Sequence, residues 1–196
     1  MTRLVPQLPP QAPRQGNAFS RWFGRSILRL GGWRIEGEFP DLPKLVIIVA
    51  PHSSAWDAFW GVAGMLALGV RINFMAKAEA FRGPLGWLLR RIGGIPVHRG
   101  RAHGTVEQAA AQLRQDGSTW FLLAPEGTRR HVEQWKSGFW HIARSAEVPI
   151  LCAHFHYPER TMGLGLVFNP GADLDADMAM VRAYYRAFTG KRTVTV

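Results

Sequence analysis

The sequence predicts a single α/β domain, with a mostly parallel central sheet flanked by helices and a basic amphipathic helix at its N-terminus. The chain has 196 residues, of which 47% are hydrophobic, so it is long and apolar enough to bury one core. Apolar strand-like segments alternate with helix-like segments, which is the order that a parallel sheet with helical crossovers requires. No internal repeat or interdomain linker interrupts this pattern.

The N-terminal region divides into a tail and a helix. Residues 1–18 are rich in Pro and Gln and lack a continuous apolar run, which predicts a flexible tail rather than a secretory signal. Residues 19–30 predict a helix, and 19–32 are assigned to contact with an anionic membrane. Its arginines share one stripe and its large apolar side chains another: Arg21, Arg25 and Arg29 against Trp22, Phe23, Ile27 and Leu30. The alternative is an ordinary helix packed on the domain with its arginines in water.

The remaining elements follow from period and punctuation. Strands are predicted at 33–39, 45–50, 72–76, 95–98, 119–124, 148–155 and 161–168. Helices are predicted at 57–68, 84–93, 105–115, 139–145 and 178–188. The longest uncharged apolar stretch, 58–70, is shorter than the roughly 20 residues of a spanning helix, so no transmembrane helix is predicted. That stretch either lines a groove for an acyl chain or forms a buried core helix.

Charge and cysteine content limit the classes of partner. The chain carries 24 Lys and Arg against 14 Asp and Glu, and residues 1–103 hold 14 of those cations with only 5 of the acids. This asymmetry indicates an anionic partner: nucleic acid, a membrane or a phosphorylated ligand. The single cysteine, Cys152, excludes an internal disulfide and lies in an apolar run typical of core. No spacing of His, Cys and Glu predicts a metal site.

A histidine and an aspartate follow the buried strand 45–50. His52 lies in the turn after that strand, and Asp57 lies in the first turn of the next helix, so their side chains can converge. A carboxylate on one imidazole nitrogen fixes the tautomer and leaves the other nitrogen as a general base. The alternative is a capping turn beside an unrelated surface aspartate.

A second polar segment, residues 126–130, follows the buried strand 119–124. A turn with Gly127, the Thr128 hydroxyl and the guanidinium groups of Arg129 and Arg130 can surround a phosphate through backbone and side-chain donors. Glu126 would order those arginines or hold a ligand hydroxyl. Arg99, at the end of another predicted strand, is a third positively charged candidate. The alternative is a polar turn of the kind common in α/β proteins.

These segments together resemble the glycerolipid acyltransferase family typified by the bacterial 1-acylglycerol-3-phosphate acyltransferases. The first block of that family is a His, four residues and an Asp, matched by His52 and Asp57. The second block ends in an Arg, matched by Arg99, and the third is Glu-Gly-Thr-Arg, matched by residues 126–129. A fourth, Val-Pro-Ile, is matched at 148–150. The resemblance covers residues 33–170 with order and spacing kept.

The resemblance implies an acyltransferase of phospholipid biosynthesis that moves a fatty acyl group from an acyl thioester to a lysophosphatidate-like hydroxyl. It implies that His52 is the general base, that Asp57 orients it, and that no acyl-enzyme forms. It further implies that Arg99, Glu126, Gly127, Thr128 and Arg129 hold the acceptor. The donor is expected to be acyl-coenzyme A or an acyl-carrier protein, with no bound cofactor or metal, and the protein is expected on the cytoplasmic face of the membrane as a peripheral protein.

Departures from the family pattern leave the acceptor open. His98 replaces the usual Asp before the second-block Arg, and Arg130 replaces a frequent Ser, both beside the predicted phosphate site. Pro51 stands where many members have Asn. One alternative is therefore a different lyso-lipid acceptor. Another is a noncatalytic basic protein that binds anionic membrane or nucleic acid. The sequence has no nucleic-acid-binding signature, so nucleic acid is not predicted as a partner.

Overall fold

The computed structural model describes residues 3–97, 102–128, 132 and 134–192. Within those ranges it is an α/β domain with a seven-stranded, mostly parallel sheet and six α-helices, as predicted. The strands are β1 (Arg34–Glu36), β2 (Lys44–Ala50), β3 (Ile72–Lys77), β4 (Gly94–Val97), β5 (Thr119–Leu123), β6 (Ile150–His156) and β7 (Thr161–Phe168). The helices are α1 (Ala18–Gly31), α2 (Ala55–Leu68), α3 (Gly83–Arg91), α4 (Ala102–Arg114), α5 (Gly138–Ala146) and α6 (Leu174–Tyr185), with a 3-10 helix at Ala78–Phe81.

The sheet has the strand order β1-β7-β6-β2-β5-β3-β4. All neighbouring strands are parallel except β6 and β7, which are antiparallel because the four residues between them are too few for a helical crossover. The central pair β2 and β5 is in register from Lys44 opposite Thr119 to Ile48 opposite Leu123. The polar segments that follow these two strands therefore emerge side by side at one edge of the sheet.

Side chains of β2 alternate between two cores. One face contributes Val46, Ile48 and Ala50 to a core formed with α4, α5 and α6. The other face contributes Leu45, Ile47 and Val49 to clusters that include residues of α1 and α2. Because β2 is buried on both faces, its sequence is a continuous apolar run rather than an alternating one.

Helix α1 begins and ends at clear caps. The Asn17 side chain accepts from the Ser20 backbone N–H and the Ser20 hydroxyl accepts from the Asn17 N–H, each at 2.9 Å. Gly32 ends the helix at φ +69°. Gly24 lets α1 lie directly on α2, because a Cβ there would stand 2.4 Å from the Ala67 nitrogen. The predicted N-terminal helix is thus confirmed, two residues longer than expected.

The segment before α1 runs along the domain. Val5 and Ala12 are buried, the Leu4 carbonyl accepts from Ile35 N–H at 2.9 Å, and Gln15 N–H donates to the Gly69 carbonyl at 2.8 Å. The Pro and Gln content of this segment did not indicate such contacts. The mobility expected for residues 1–18 and the domain boundaries drawn at 18 and 32 stay predictions.

The first strand and the last helix have clearly different bounds from those predicted. Strand β1 is shorter than the predicted 33–39 because Gly37 turns away at φ +86°, where a Cβ would lie 2.2 Å from the Leu164 carbonyl oxygen. The last helix is confirmed, but its bounds differ from the predicted 178–188. It begins at Leu174 because the Asp173 carboxylate caps it, accepting from Asp175 N–H at 2.9 Å, and it ends at Tyr185.

Candidate active site

The turn from β2 into α2 holds the first group of candidate residues. It follows a cis Ala50-Pro51 peptide bond and ends at Ser54, whose hydroxyl caps α2 by accepting from the Trp56 N–H at 3.2 Å. Asp57, the third residue of α2, accepts through Oδ2 from the backbone N–H groups of Ser53 and Ser54, each at 2.8 Å. The local sequence thus forms a capping box that fixes the Asp57 carboxylate above the start of the helix.

His52 and Asp57 are in direct contact. His52 Nδ1 lies 3.3 Å from Asp57 Oδ2, while the Asp57 side chain is fully buried and the His52 side chain is about a quarter exposed. A proton on Nδ1 donates to this carboxylate, so Nε2 keeps its lone pair for a ligand. The predicted convergence of this pair is confirmed, and it results from the cap rather than from helical spacing.

Tyr157 completes a chain of hydrogen bonds that sequence analysis missed. Its hydroxyl donates to Asp57 Oδ1 at 2.5 Å from the turn after β6. The tyrosine ring packs edge-on against Trp33, with centroids 4.9 Å apart, and its backbone N–H donates to the Thr189 carbonyl. It is 100 residues from Asp57 in the chain, so no local pattern could have linked the two.

The protonation states of Asp57 and Tyr157 follow from their surroundings. Burial is the largest influence on Asp57 and acts to raise its pKa. The hydrogen bonds from His52, from Tyr157 and from the cap outweigh burial, so the pKa of Asp57 lies below its ordinary value of 3.8. Burial and the Asp57 carboxylate together raise the pKa of Tyr157. At neutral pH an ionised Asp57 therefore accepts from a neutral tyrosine.

Glu126 reaches the same turn from β5. Only 2% of this residue is exposed, and its two carboxylate oxygens accept from the His52 backbone N–H at 2.9 and 3.1 Å. Burial raises its pKa, and the His52 contacts partly offset that rise. Sequence analysis expected Glu126 to order arginines or a ligand hydroxyl, which stays a prediction. The contact present in the structure instead braces the backbone of the histidine.

A lysine lies over the turn that follows Glu126. Gly127 has φ +63°, and a Cβ there would stand 2.9 Å from Lys136 Cε and 3.1 Å from Nζ. The Lys136 backbone N–H donates to the Pro125 carbonyl at 2.8 Å, which fixes the lysine beside the turn. Thr128 is half-buried next to it. Sequence analysis did not select Lys136, although its rarity as one of four lysines was an available signal.

Two predicted phosphate ligands, Arg99 and Arg129, lie outside the described residues, as do His98 and Arg130, where the sequence departs from the family pattern. The described residues of the predicted acceptor site are therefore Glu126, Gly127 and Thr128, and the structure places Lys136 beside them. No three His, Cys, Asp or Glu side chains among the residues described converge as metal ligands would.

The C-terminal segment packs on the His52 turn. A Cβ on Gly190 would lie 2.6 Å from Ser53 Oγ, and Arg192 N–H donates to that oxygen at 3.3 Å. Lys191 Nζ lies 4.7 Å from the centre of the Trp56 ring. Trp56, directly before Asp57 in the chain, is half exposed. Sequence analysis found no signal for this contact, because the two segments are more than 130 residues apart.

Cys152 belongs to the core. It is fully buried on β6, and burial raises the pKa of its thiol to about 12. A buried thiol that stays protonated at neutral pH is a poor nucleophile. The interpretation of this residue as core is confirmed.

The described helices are too short or too polar to cross a membrane.

Comparison with known proteins gives three findings. The family model described as Acyltransferase matches residues 36–155. A 1-acyl-sn-glycerol-3-phosphate acyltransferase of Haemophilus influenzae is 29% identical over 74% of this chain, and the match spans 63% of that relative's length. The crystal structure of the 1-acyl-sn-glycerophosphate acyltransferase PlsC from Thermotoga maritima superposes with a TM-score of 0.65 at 19% identity, covering 85% of this chain and 75% of the other.

Proposed function

This chain belongs to the Acyltransferase family, and from that premise we propose that it moves a fatty acyl group from an acyl thioester to the hydroxyl of a lysophosphatidate-like lysophospholipid. The observation that carries the proposal is the buried contact between His52 Nδ1 and Asp57 Oδ2, beside the Glu126–Thr128 turn. The name of the Haemophilus influenzae relative supports this acceptor class.

The proposed reaction is one direct transfer. His52 Nε2 takes the proton from the acceptor hydroxyl as its oxygen attacks the thioester carbonyl, and the new C–O bond forms. The C–S bond then breaks, and the thiolate takes the proton back from His52 and leaves as a thiol. Asp57 holds the imidazole and stabilises its charged form, and no acyl group is attached to the protein. A thioester from coenzyme A or from a carrier protein satisfies this balance equally.

The acceptor phosphate would lie on the turn after β5. Thr128 and Lys136 supply side-chain donors there, Gly127 lets the Lys136 side chain approach the turn, and Arg99 and Arg129 are proposed to complete the site. Glu126, which braces His52, would also meet the glycerol part of the acceptor. The contact of His52 with the buried, ionised Asp57 and the donors beside it favour this reading over a noncatalytic basic protein, for which neither would have a use.

We further propose that the protein docks as a peripheral protein on the cytoplasmic face of the membrane. Its amphipathic helix α1 exposes 70% of Phe19, 60% of Trp22 and 89% of Leu30, with Arg25 and Arg29 also exposed. A helix of this kind lies at the interface with its aromatic side chains in the acyl boundary and its arginines on lipid phosphates. The acceptor would then be taken from the same surface.

The experiment is acceptor-dependent thiol release from acyl-coenzyme A, with lysophosphatidate in mixed micelles. We expect His52→Ala to lower the rate by about 10²-fold or more, because positioned proton transfer contributes about 10²–10⁴. The matched control is His141→Ala, an exposed histidine on α5, which should release thiol as the wild type does. Acceptor-dependent release that survives in His52→Ala would exclude this histidine as the base.

A wild type that shows no release requires the same comparison with acyl-carrier protein and with other lysophospholipids. Release with one of those substrates, lost in His52→Ala, keeps the reaction and changes only the substrate. Absence of release with every donor and acceptor would contradict the proposal.

A further inference from the structure

The exposed apolar side chains of the described residues are concentrated on one side of the molecule. Eleven large apolar side chains are exposed, and nine of them belong to α1, α2 and α3. These nine are Phe19, Trp22, Phe23, Leu30, Trp56, Phe59, Leu85, Trp87 and Leu88. The other two, Val167 and Met180, lie on β7 and α6.

Helix α3 lies on the same face of the sheet as α1 and α2. The connections through α2 and α3 step in one direction, from β2 to β3 and on to β4, whereas those through α4 and α5 step back. Right-handed crossovers therefore put α2 and α3 on one face and α4 and α5 on the other. Contacts agree with this: Gln15 Nε2 donates to the Arg91 carbonyl at 3.5 Å, and a small cavity is lined by Ser20, Val62, Leu66 and Ile92 together.

The helices of this face are also the basic ones. Together α1, α2 and α3 contain five arginines and one acidic residue, Asp57, which is buried in the candidate active site. The described helices of the opposite face, α4, α5 and α6, contain three arginines and three acidic residues. The exposed apolar surface and the positive charge therefore coincide.

Helix α3 has the composition of an interfacial anchor in its own right. Leu85, Trp87 and Leu88 are 56%, 68% and 47% exposed, and α3 starts after Arg82 and ends at Arg91. The helix is held firmly, because Gly86 packs so closely on the 3-10 helix that a Cβ would lie 2.1 Å from the Phe81 backbone. That 3-10 helix follows the carboxyl end of β3, at the sheet edge that carries His52.

We propose that α3 is a second membrane contact, which docks beside α1 on an anionic bilayer, with Trp87 and its neighbouring leucines in the interface and Arg82 and Arg91 on lipid phosphates. The inference rests on the proposed membrane-associated function and extends it from one helix to a surface. Charge complementarity selects an anionic bilayer as the occupant. Contacts through both α1 and α3 would hold the sheet edge that carries His52 in a fixed orientation toward the lipid. A single helix would leave the domain free to rotate about that helix.

The test is co-sedimentation of the full chain with vesicles of phosphatidylcholine alone or with added phosphatidylglycerol. We expect the wild type to bind the anionic vesicles, and Trp87→Ser with Leu88→Ser to weaken that partition by about tenfold or more, since two exposed apolar side chains lose their burial in lipid. Arg82→Gln with Arg91→Gln should lower only the part of the binding that salt suppresses. Met180→Ser, an exposed apolar side chain on α6 of the opposite face, should bind as the wild type does.

Three outcomes would overturn the proposal. In the first, the α3 variant binds anionic vesicles as the wild type does. In the second, the α3 variant loses only thiol release with a carrier-protein donor, which makes α3 a contact for that protein; in the third, the wild type is a dimer that the α3 variant abolishes without any change in vesicle binding. Thiol release is measured with a short-chain acceptor below its micelle concentration, so that the reaction is observed without a lipid surface and separately from vesicle binding. Weakened vesicle binding by an α3 variant that releases thiol normally supports α3 docking alone. Weakened binding with no release even in the wild type retains the docking surface and rejects the reaction.

Discussion

At the scale of single residues, the site depends on how two buried carboxylates are held. Asp57 accepts from His52, Tyr157 and two backbone N–H groups, and its pKa is lowered. Glu126 accepts from the His52 backbone N–H, and burial raises its pKa. The two carboxylates therefore affect stability in opposite directions as the pH changes.

Asp57→Asn and Glu126→Gln test that opposition. Because the folded-state pKa of Asp57 is lowered, its carboxylate contributes stability above about pH 4, and this contribution is lost as the pH falls through the folded value. Asp57→Asn should thus cost on the order of 1–3 kcal/mol at pH 7, with a difference that shrinks in acid. The raised pKa of Glu126 has the reverse sign, so Glu126→Gln should be neutral or stabilising at pH 7. Urea unfolding at pH 7 and at a pH below 3 measures both, and a larger loss for Glu126→Gln than for Asp57→Asn at pH 7 would refute this assignment.

Tyr157→Phe isolates one hydrogen bond to Asp57. The ring keeps its contact with Trp33, so the fold should persist, while Asp57 Oδ1 loses its donor at 2.5 Å. We expect kcat to fall by about 3- to 30-fold with KM for the acyl donor unchanged, since one such bond contributes about 0.5–2 kcal/mol. The pKa of Asp57 should rise, and the acid limb of the pH–rate profile should therefore move to higher pH. Tyr184→Phe, which removes a hydroxyl beside His154 instead, is the control, and equal effects of the two would show that Tyr157 has no positioning role.

At the scale of elements, the packing of α1 on α2 depends on a glycine. A Cβ at Gly24 would lie 2.4 Å from the Ala67 nitrogen and 2.8 Å from the Ala63 carbonyl oxygen, so the helices must separate to accept one. At Gly61, on α2, the nearest atom to a Cβ is 3.8 Å away. The same substitution should therefore have opposite signs at these two helical positions.

We expect Gly24→Ala to destabilise the protein by about 1–3 kcal/mol through overpacking. Gly61→Ala should stabilise it by about 0.5–1 kcal/mol, because alanine loses less backbone entropy in a helix. Urea unfolding of the two variants checks this. A stabilised Gly24→Ala would mean that α1 does not lie this close to α2, and the surface proposed for α1 and α3 would lose its geometry.

Local elements are where sequence reasoning succeeded. The buried strands, the helix α1 and the pairing of His52 with Asp57 all rest on contacts within a few residues, where period and caps carry the information. The end of β1 was misplaced because it depends on the distant Leu164 carbonyl, whereas the start of α6 was misplaced because the local cap at Asp173 was overlooked. Tyr157, Lys136 and the C-terminal segment were missed because only the folded chain brings them to the site.

At the scale of the whole molecule, the two faces of the sheet differ in character. One face carries α1, α2 and α3 with most of the exposed apolar side chains and five arginines, and the other carries α4, α5 and α6 with balanced charge. The excess of cations in residues 1–103 thus becomes a spatial asymmetry, since α1, α2 and α3 all come from that half. The candidate active site opens at the sheet edge that adjoins the basic face.

The central claim is that the His52–Asp57 pair transfers an acyl group to a lysolipid hydroxyl. The measurement that tests it most directly is mass spectrometry of the lipid product and of the intact protein, after purified wild type or His52→Ala reacts with lysophosphatidate and an acyl thioester. We predict a diacyl product heavier than the acceptor by one acyl group with the wild type, none with His52→Ala, and no acyl group on either protein. A diacyl product formed equally by both proteins, or an acyl group retained on the wild-type chain as an intermediate, would contradict the account.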